Sequence, residues 1–542
     1  MTLMSLDSRR SSFTFRGRLI LAVISSGLLP ALAAGPAPGR EKGKTVLVGR
    51  SGDGLLHYQP YSAQGDVLPD FSHCGYGGGG VPLPVAIVRE ELQPESGGGD
   101  DSARIQAALD RVARLPVGAD GMRGAVLLRR GQYRCGEPLR LAISGVVLRG
   151  EGDGEDGTVI IATARKQQPL VRVGGANGPR EVGEMRAEIA DGYVPVGSRS
   201  FTVEDAGRFA VGQTVFVVRR GNAAWISTIG MDRIVPRSSD PKSTRQWSPF
   251  DLKFDRVITA IEGRRVTVDA PIACAIDRRW GGGELVRTRD EERIERCGVE
   301  NLRGVSVFDP GKTADYQGER VAVDEDHATH LVAFGAVRNA WARRLTTTGF
   351  YHGPTTVGGA AKWVTIEDCT SLAPVSQITG GRRYPFSVDG QLVLVQRCRS
   401  DRGRHAFVFG SRVPGPNVFL ECVSTNDYAS SEPHHRWSVG GLYDNVEAVL
   451  AIQDRGHMGS GHGWAGANYV VWNSRGSLIC QQPPTAQNFS IGFVGERGKD
   501  AFPRPPGWWE SEGAPVEPRS LYQAQLAARR AAASGRPPAA GP

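Results

Sequence analysis

The sequence predicts an all-β solenoid, and three observations carry that prediction. A strand motif recurs, since Trp363 to Ser371, Leu392 to Ser400 and Asn417 to Ser424 each read as a β-branched strand closing on Cys-x-Ser. Leu345, Cys369, Cys398 and Cys422 hold equivalent places, at intervals of 24, 29 and 24 residues. Weaker copies flank them at Ala340 to Thr347 and Tyr469 to Gly476. Such a period belongs to solenoids, in which each coil packs only on its neighbours. Glycine at 71 and proline at 34 of 542 residues, with 7% aromatics, favour many tight turns over long helices.

In chain order, residues 1–34 read as a cleaved export signal. Arg9, Arg10, Arg16 and Arg18 precede an apolar run from Leu19 to Leu32, and Ala31-Leu32-Ala33 offers a cleavage site. Ser8-Arg9-Arg10 leaves general and twin-arginine export both open. The mature chain is expected in the periplasm or outside the cell, with no further apolar segment of spanning length. Residues 35–67 form a leader rich in Gly, Pro and charge. Residues 68–180 hold a helical cap and the first coils. Asp100 or Asp101 caps a helix whose Ile105, Ala108, Leu109 and Val112 share one face. Strand–turn units follow at Ala125 to Leu128, Val146 to Arg149 and Thr158 to Ile161.

Three segments here carry a resemblance: D-D-S-A-R-I-Q-A-A-L-D (100–110), G-A-V-L-L-R-R-G-Q-Y (124–133) and G-V-V-L-R-G-E-G (145–152). They resemble the entrance of the pectate-lyase-like (pectin lyase fold) superfamily, and L-P-D-F-S-H-C-G-Y (68–76) is similar to a segment ahead of that entrance in bacterial members. The resemblance implies a right-handed parallel β-helix capped by the helix. It leaves the reaction open among pectin and pectate lyases, polygalacturonase-type hydrolases and phage tailspikes, because the fold hosts several chemistries.

Residues 181–296 break the rhythm and read as a β-rich insertion folded against the solenoid, either walling one side of a groove or serving as a packing appendage. The main coils resume over 297–500. The tail, 501–542, is proline-rich and carries a short helix from Ser520 that covers the far end. Eight cysteines in an exported chain permit disulfides, but the repeat positions of Cys369, Cys398 and Cys422 point to a stacked column of buried thiols.

A net charge of +8 and a pI near 9.1 suggest acidic partners, and export argues against nucleic acid. The second half of each repeat carries the chemistry. Aligned on the apolar residues after each turn, His352, Arg383, Arg404 and His434 fall in one column. Gly353, Tyr384, His405 and His435 fall in the next. Strands about 4.8 Å apart would stack these groups into a cationic ladder, whose repulsion an acidic polysaccharide would relieve. Two mechanisms fit. In β-elimination Arg383, Arg404 or Arg436 neutralises a uronate, His405, His434 or His435 takes the proton, and Tyr384 acts as acid. In hydrolysis two carboxylates flank the bond, with Asp389, Asp401, Asp427 and Asp444 available but scattered. Gly461-His462-Gly463 is similar to the G-H-G of polygalacturonases, whose paired Asp-Asp and Arg-Ile-Lys are missing downstream of residue 340. Substrate contacts are expected from Arg383, His352, Trp437, Asp427, His462 and Trp464. Elimination is the preferred reading, with a polygalacturonase-like hydrolase and a non-catalytic glycan-binding surface protein as alternatives. No metal or other cofactor is required, although Asp324-Glu325-Asp326-His327 could take Ca²⁺. The oligomeric state is not read from the sequence.

Overall fold

The chain is a parallel β-helix of three sheets, seen in a computed structural model that describes residues 42–50, 56–95 and 97–534. The expected export signal lies outside the described residues. Among them, no helix is long and apolar enough to cross a membrane.

The first sheet runs from Val88–Leu92 through Gly124–Leu128, Val146–Arg149, Lys362–Glu367, Leu394–Gln396, Pro414–Leu420 and Ser438–Asp444 to Trp508–Glu510, all in parallel pairings. The second includes Gly131–Cys135, Thr158–Ala162, Thr370–Leu372, Arg399–Asp401, Val423–Thr425 and Glu447–Ile452. The third holds seven strands, among them His330–Phe334, Gly353–Val357, Phe386–Val388, Phe407–Ser411 and Pro433–His435. The cap helix, Ser102–Ala113, buries the expected Ile105, Ala108, Leu109 and Val112 against the first coils. Asp101 stands at the N-cap, and the carboxylate of the preceding Asp100 accepts from the Ser102 amide at 2.7 Å.

The cysteine motif spans a corner rather than one strand. A left-handed residue turns each coil from first to second sheet: Asn301, Arg344, Asp368, Arg397, Glu421, Asn445 and Asn473, with φ between 46° and 56°. The next residue points inward, so Cys369, Cys398 and Cys422 stack at 0% exposure in the core. Each thiol sits on a carbonyl of its own corner, at 3.3–3.4 Å. All eight cysteines are free thiols among the described residues.

Strands of the first sheet are buried on both faces. Val393, Val395 and Phe419 face the solenoid core, while Leu392, Leu394, Val418, Leu420, Leu442, Val470 and Trp472 form a separate outer cluster. This explains the unbroken apolar run Leu392 to Val395, typical of covered parallel strands. The cover is the leader around Leu47 and Val48, the segment around Leu68 and Phe71 that follows it, and the tail helix Leu521–Ser534. The tail helix therefore lies along the flank of the solenoid instead of over its far end, where the sequence reading puts it. Gln525 and Arg529 tie it to Phe71, Pro69 and Ser72.

Residues between the first and main coils form a six-stranded antiparallel sheet, bounded by Arg180–Glu188 and Gly283–Arg289. Its core, including Trp225, Phe254 and Leu285, is continuous with Trp437, Val439, Trp464 and Ala467 of the coils. A buried ion network strengthens this seam: Asp255 lies 2.7 Å from Arg293 and 3.2 Å from Lys362 of the solenoid.

Candidate active site

The entry edge of the third sheet gathers the chemistry. Pairing of Thr355 with Phe386 and of Phe386 with Phe407 places His352, Arg383 and Arg404 in one column, and Gly353, Tyr384 and His405 in the next. The following coil does not continue the ladder as the sequence alignment had it. Phe409 pairs with Pro433 and Ser411 with His435, so the two histidines leave the sheet at its opposite end. Left-handed Arg436 and Trp437 then turn the chain directly into Ser438–Asp444 of the first sheet. The apolar pattern Trp437-Ser438-Val439 thus belongs to a different sheet, which periodicity alone cannot reveal.

The side chains nevertheless converge. The Tyr384 hydroxyl shares a 2.8 Å hydrogen bond with Nε2 of His434 and accepts from Arg404 at 3.3 Å. Nδ1 of His434 shares a 2.9 Å bond with Nδ1 of His435. The His405 ring lies 5.1 Å from both Tyr384 and His434, and His462 comes within 4.8–4.9 Å of His434 and His435. His352 stacks on His330 at 4.5 Å, and its Nδ1 accepts from the Tyr384 amide.

Two members, Glu432 and Arg455, were not among the residues predicted for the site. Glu432, 1% exposed, places Oε1 2.7 Å from Arg455 and 3.2 Å from Nδ1 of His405. That Nδ1 is also 2.5 Å from the Ser430 carbonyl. Both neighbours accept, so the proton belongs on Nδ1 and Nε2 carries the lone pair. Nε2 is buried and finds no hydrogen-bond partner among the described residues.

The imidazoles of the ladder are neutral, so its cations are the guanidiniums of Arg383 and Arg404. Burial, reinforced by Arg404 and Arg455, holds His405 well below the usual histidine range. Burial lowers His435 to about 4 and His462 to about 3, with Arg436 and Arg455 the leading charges respectively. His434 and His352 are pushed well down by burial too. Burial raises Glu432 to about 7 and Tyr384 to about 12.

Several predicted residues stand elsewhere. Arg383 is 3% exposed and donates to the carbonyls of Ser376 and Ala322 at 2.7–2.9 Å, so its charge holds two loops together. Trp437 packs edge-on against Trp225 at 5.1 Å, in the seam with the insertion. Trp464 is 2% exposed there and donates to the Ile229 carbonyl. The glycines around it seat the insertion: a Cβ on Gly461 would meet the Arg245 carbonyl at 2.4 Å, and one on Gly463 the Met231 sulfur at 2.3 Å. Arg436 donates to Ser460 of the same loop at 2.9 Å. Asp427, raised by burial to about 7, bonds Ser424 on the second-sheet side. Asp444, raised likewise to about 7, accepts from Ser520 and from the Tyr522 amide, capping the tail helix. At the Ca²⁺ candidate, Asp324 is already paired with Arg165 at 2.6 Å and Lys312 at 3.0 Å.

One group among the described residues has metal-ligand spacing: His405, Glu432 and His434 each bring a donor atom within 4.8 Å of the others. Most of these donors are engaged, since His434 is bonded through both nitrogens and Glu432 is paired with Arg455. What the fold and cluster define is a parallel β-helix with a carboxylate-oriented imidazole beside a tyrosine and two guanidiniums.

No known family model and no curated protein sequence matches the chain. Solved structures similar to it include the tailspike gp61 of Pseudomonas phage phi297, 12% identical with a TM-score of 0.40, covering 74% of this chain and 58% of that one. The tailspike of Escherichia coli phage HK620, solved with a pentasaccharide, is 12% identical with a TM-score of 0.37, covering 79% and 56%. The Streptococcus pneumoniae surface adhesin PfbA is 10% identical with a TM-score of 0.36, covering 75% and 77%. This chain thus spans less than two thirds of the length of either tailspike.

Proposed function

We propose that this protein is an exported enzyme that cleaves a uronate-containing polysaccharide by β-elimination at the His405 cluster. The observation that carries the reading is His405, a buried neutral imidazole held through Nδ1 with its Nε2 lone pair unpartnered among the described residues. A general base needs this state at working pH. Nε2 takes the proton from C5 of the uronate, and the released electron pair forms the C4–C5 double bond. The C4–oxygen bond breaks as the Tyr384 hydroxyl supplies a proton to the leaving oxygen. Arg404, half-buried and in contact with Tyr384, neutralises the carboxylate and makes the C5 proton more acidic. Glu432 stabilises the imidazolium formed in the step. Hydrolysis by a carboxylate pair fits less well, because Glu432 is the cluster's one carboxylate and is paired with Arg455.

The test is incubation with pectic, alginate, glucuronan and glycosaminoglycan substrates, with and without a chelator. Absorbance near 235 nm from an unsaturated product, unchanged by chelation because His434 and Glu432 are already engaged, is the expected result. New reducing ends without that absorbance would overturn elimination, and retained glycan affinity with no product would overturn catalysis.

A further inference from the structure

A cavity apart from the His405 cluster lies in the seam where the leader, the insertion and the coils meet. It measures about 590 Å³, within the range of small-molecule sites, and Tyr61, Tyr193, Arg219, Cys274, Trp280 and Trp437 are among its lining residues. Arg219 sets it apart. Its side chain is buried, the residue being 3% exposed, and Nε and Nη1 find no hydrogen-bond partner among the described residues.

Two other buried guanidiniums, those of Arg256 and Arg383, are held by carbonyls instead. Arg256, at 0% exposure, donates to the carbonyls of Ala270, Asp255, Pro271 and Gly415 at 2.7–3.0 Å. Arg383 is similarly tied to Ser376 and Ala322. A buried cation short of acceptors is strongly destabilising, which is why such groups are normally paired. Two further buried donors on the same cavity, the Tyr61 hydroxyl and Trp437 Nε1, also have no partner among the described residues. Trp225 stacks on the Arg219 guanidinium at 3.8 Å, fixing its plane.

Among the groups facing Arg219, the Cys274 sulfur is within reach of both the guanidinium and Trp437 Nε1, but burial keeps it a neutral thiol, only a weak acceptor for a cation. The carboxylates of the lining are engaged elsewhere. Asp66 accepts from Tyr193, Ser62 and the Val196 amide, and Asp277 caps the Arg279 amide. Arg279 stacks on Trp280 at 4.1 Å, which adds a second cation beside an aromatic face.

We propose that this cavity binds a carboxylate-bearing sugar unit, with Arg219 receiving the carboxylate and the Trp280 side presenting an aromatic wall to the ring. The cavity is lined by none of the His405 cluster, so this assignment stands apart from the elimination reading. Titration of the full protein with D-glucuronate, followed by tryptophan fluorescence, tests it, with D-glucose and acetate as parallel probes. Saturable change with glucuronate, at least tenfold weaker with either control, is expected. His405→Ala should respond as wild type, and Arg219→Met should lose at least tenfold in affinity. No saturable response in the wild type, or an equal response to glucose, overturns the proposal. An acetate response equal to that of glucuronate overturns the sugar assignment. Should Arg219→Met fail to fold, Trp280→Ala takes its place, since that indole is only half-buried. Unchanged affinity in that variant overturns the proposal as well.

Discussion

The outer faces of the first and third sheets are built from the same coils and put to opposite uses. On the first sheet, Leu392, Leu394, Val418, Leu420, Leu442, Val470 and Trp472 meet the leader and the tail helix in a closed apolar layer. On the third sheet, Tyr384, His405, Glu432 and His434 crowd together, and polar atoms stay unpartnered among the described residues. Apolar burial stabilises without direction. Burying imidazoles and a carboxylate costs stability, and the fold tolerates it at one edge. The difference separates a surface kept for folding from one whose cost points to chemistry.

Paired substitutions break that contrast most sharply. His405→Gln keeps an amide donor near the Ser430 carbonyl but lacks the basic lone pair. Turnover should fall by about 10²–10⁴, the usual contribution of a general base, while the melting temperature stays near wild type. Leu420→Ala, on the opposite face at 1% exposure, should lose about 2–5 kcal/mol of stability. Its kcat at a temperature where it remains folded should match wild type. Chemical denaturation and initial rates on both variants check the pair. A Leu420→Ala enzyme that is stable but inactive would dissolve the distinction.

Glu432→Gln sharpens the comparison within the third sheet. Burial raises Glu432 to about 7, so its ionisation falls inside the working range. Only the carboxylate strengthens His405 as a base, and kcat/KM should therefore rise as pH passes through about 7. The inflection belongs to the coupled Glu432–His405–Arg455 group rather than to one residue. Glu432→Gln should remove it and lower kcat/KM by roughly 10- to 100-fold, as losing an orienting carboxylate does for a histidine. A pH–rate profile unchanged in that variant would take Glu432 out of the mechanism.

Much of the fold was legible because its cause is local. The Cys369, Cys398 and Cys422 spacing marks where each coil turns inward, and Asp100 to Val112 shows its capped helix in composition alone. The site was half legible. Tyr384 and His405 share a column because their coil follows the sequence rhythm. The alignment failed at His434 and His435, since consecutive left-handed residues cut that strand short and moved the next apolar run to another sheet. Charge state was not readable either. Histidines look like potential cations in sequence, and only burial beside Arg404, Arg436 and Arg455 makes the imidazoles of His405, His435 and His462 neutral. Trp437 and Trp464 resemble sugar platforms in sequence, yet the insertion covers them, a long-range contact that leaves no local signal.

The neutral cluster should also write itself into stability. His435 falls to about 4 in the folded state, against an ordinary value of 6.5 that the unfolded chain retains. Below pH 6.5 the unfolded chain binds the proton and the native site does not, so this contribution is intact above 6.5 and lost as pH falls towards 4. Glu432 acts in the opposite sense, its raised value weakening the native state as pH climbs from about 4.5 to 7. The histidines outnumber it, with His330 and His462 each lowered to about 3, so net stability should decline on acidification. Each tenfold change in proton affinity is worth about 1.4 kcal/mol, and His435 therefore accounts for roughly 1–3 kcal/mol of that decline. Melting temperatures at pH 7.5, 6, 5 and 4.5 should fall less steeply in His435→Gln than in wild type. Parallel curves would mean that the native cluster already takes up the proton, and the neutral-base reading of His405 would lose its electrostatic support.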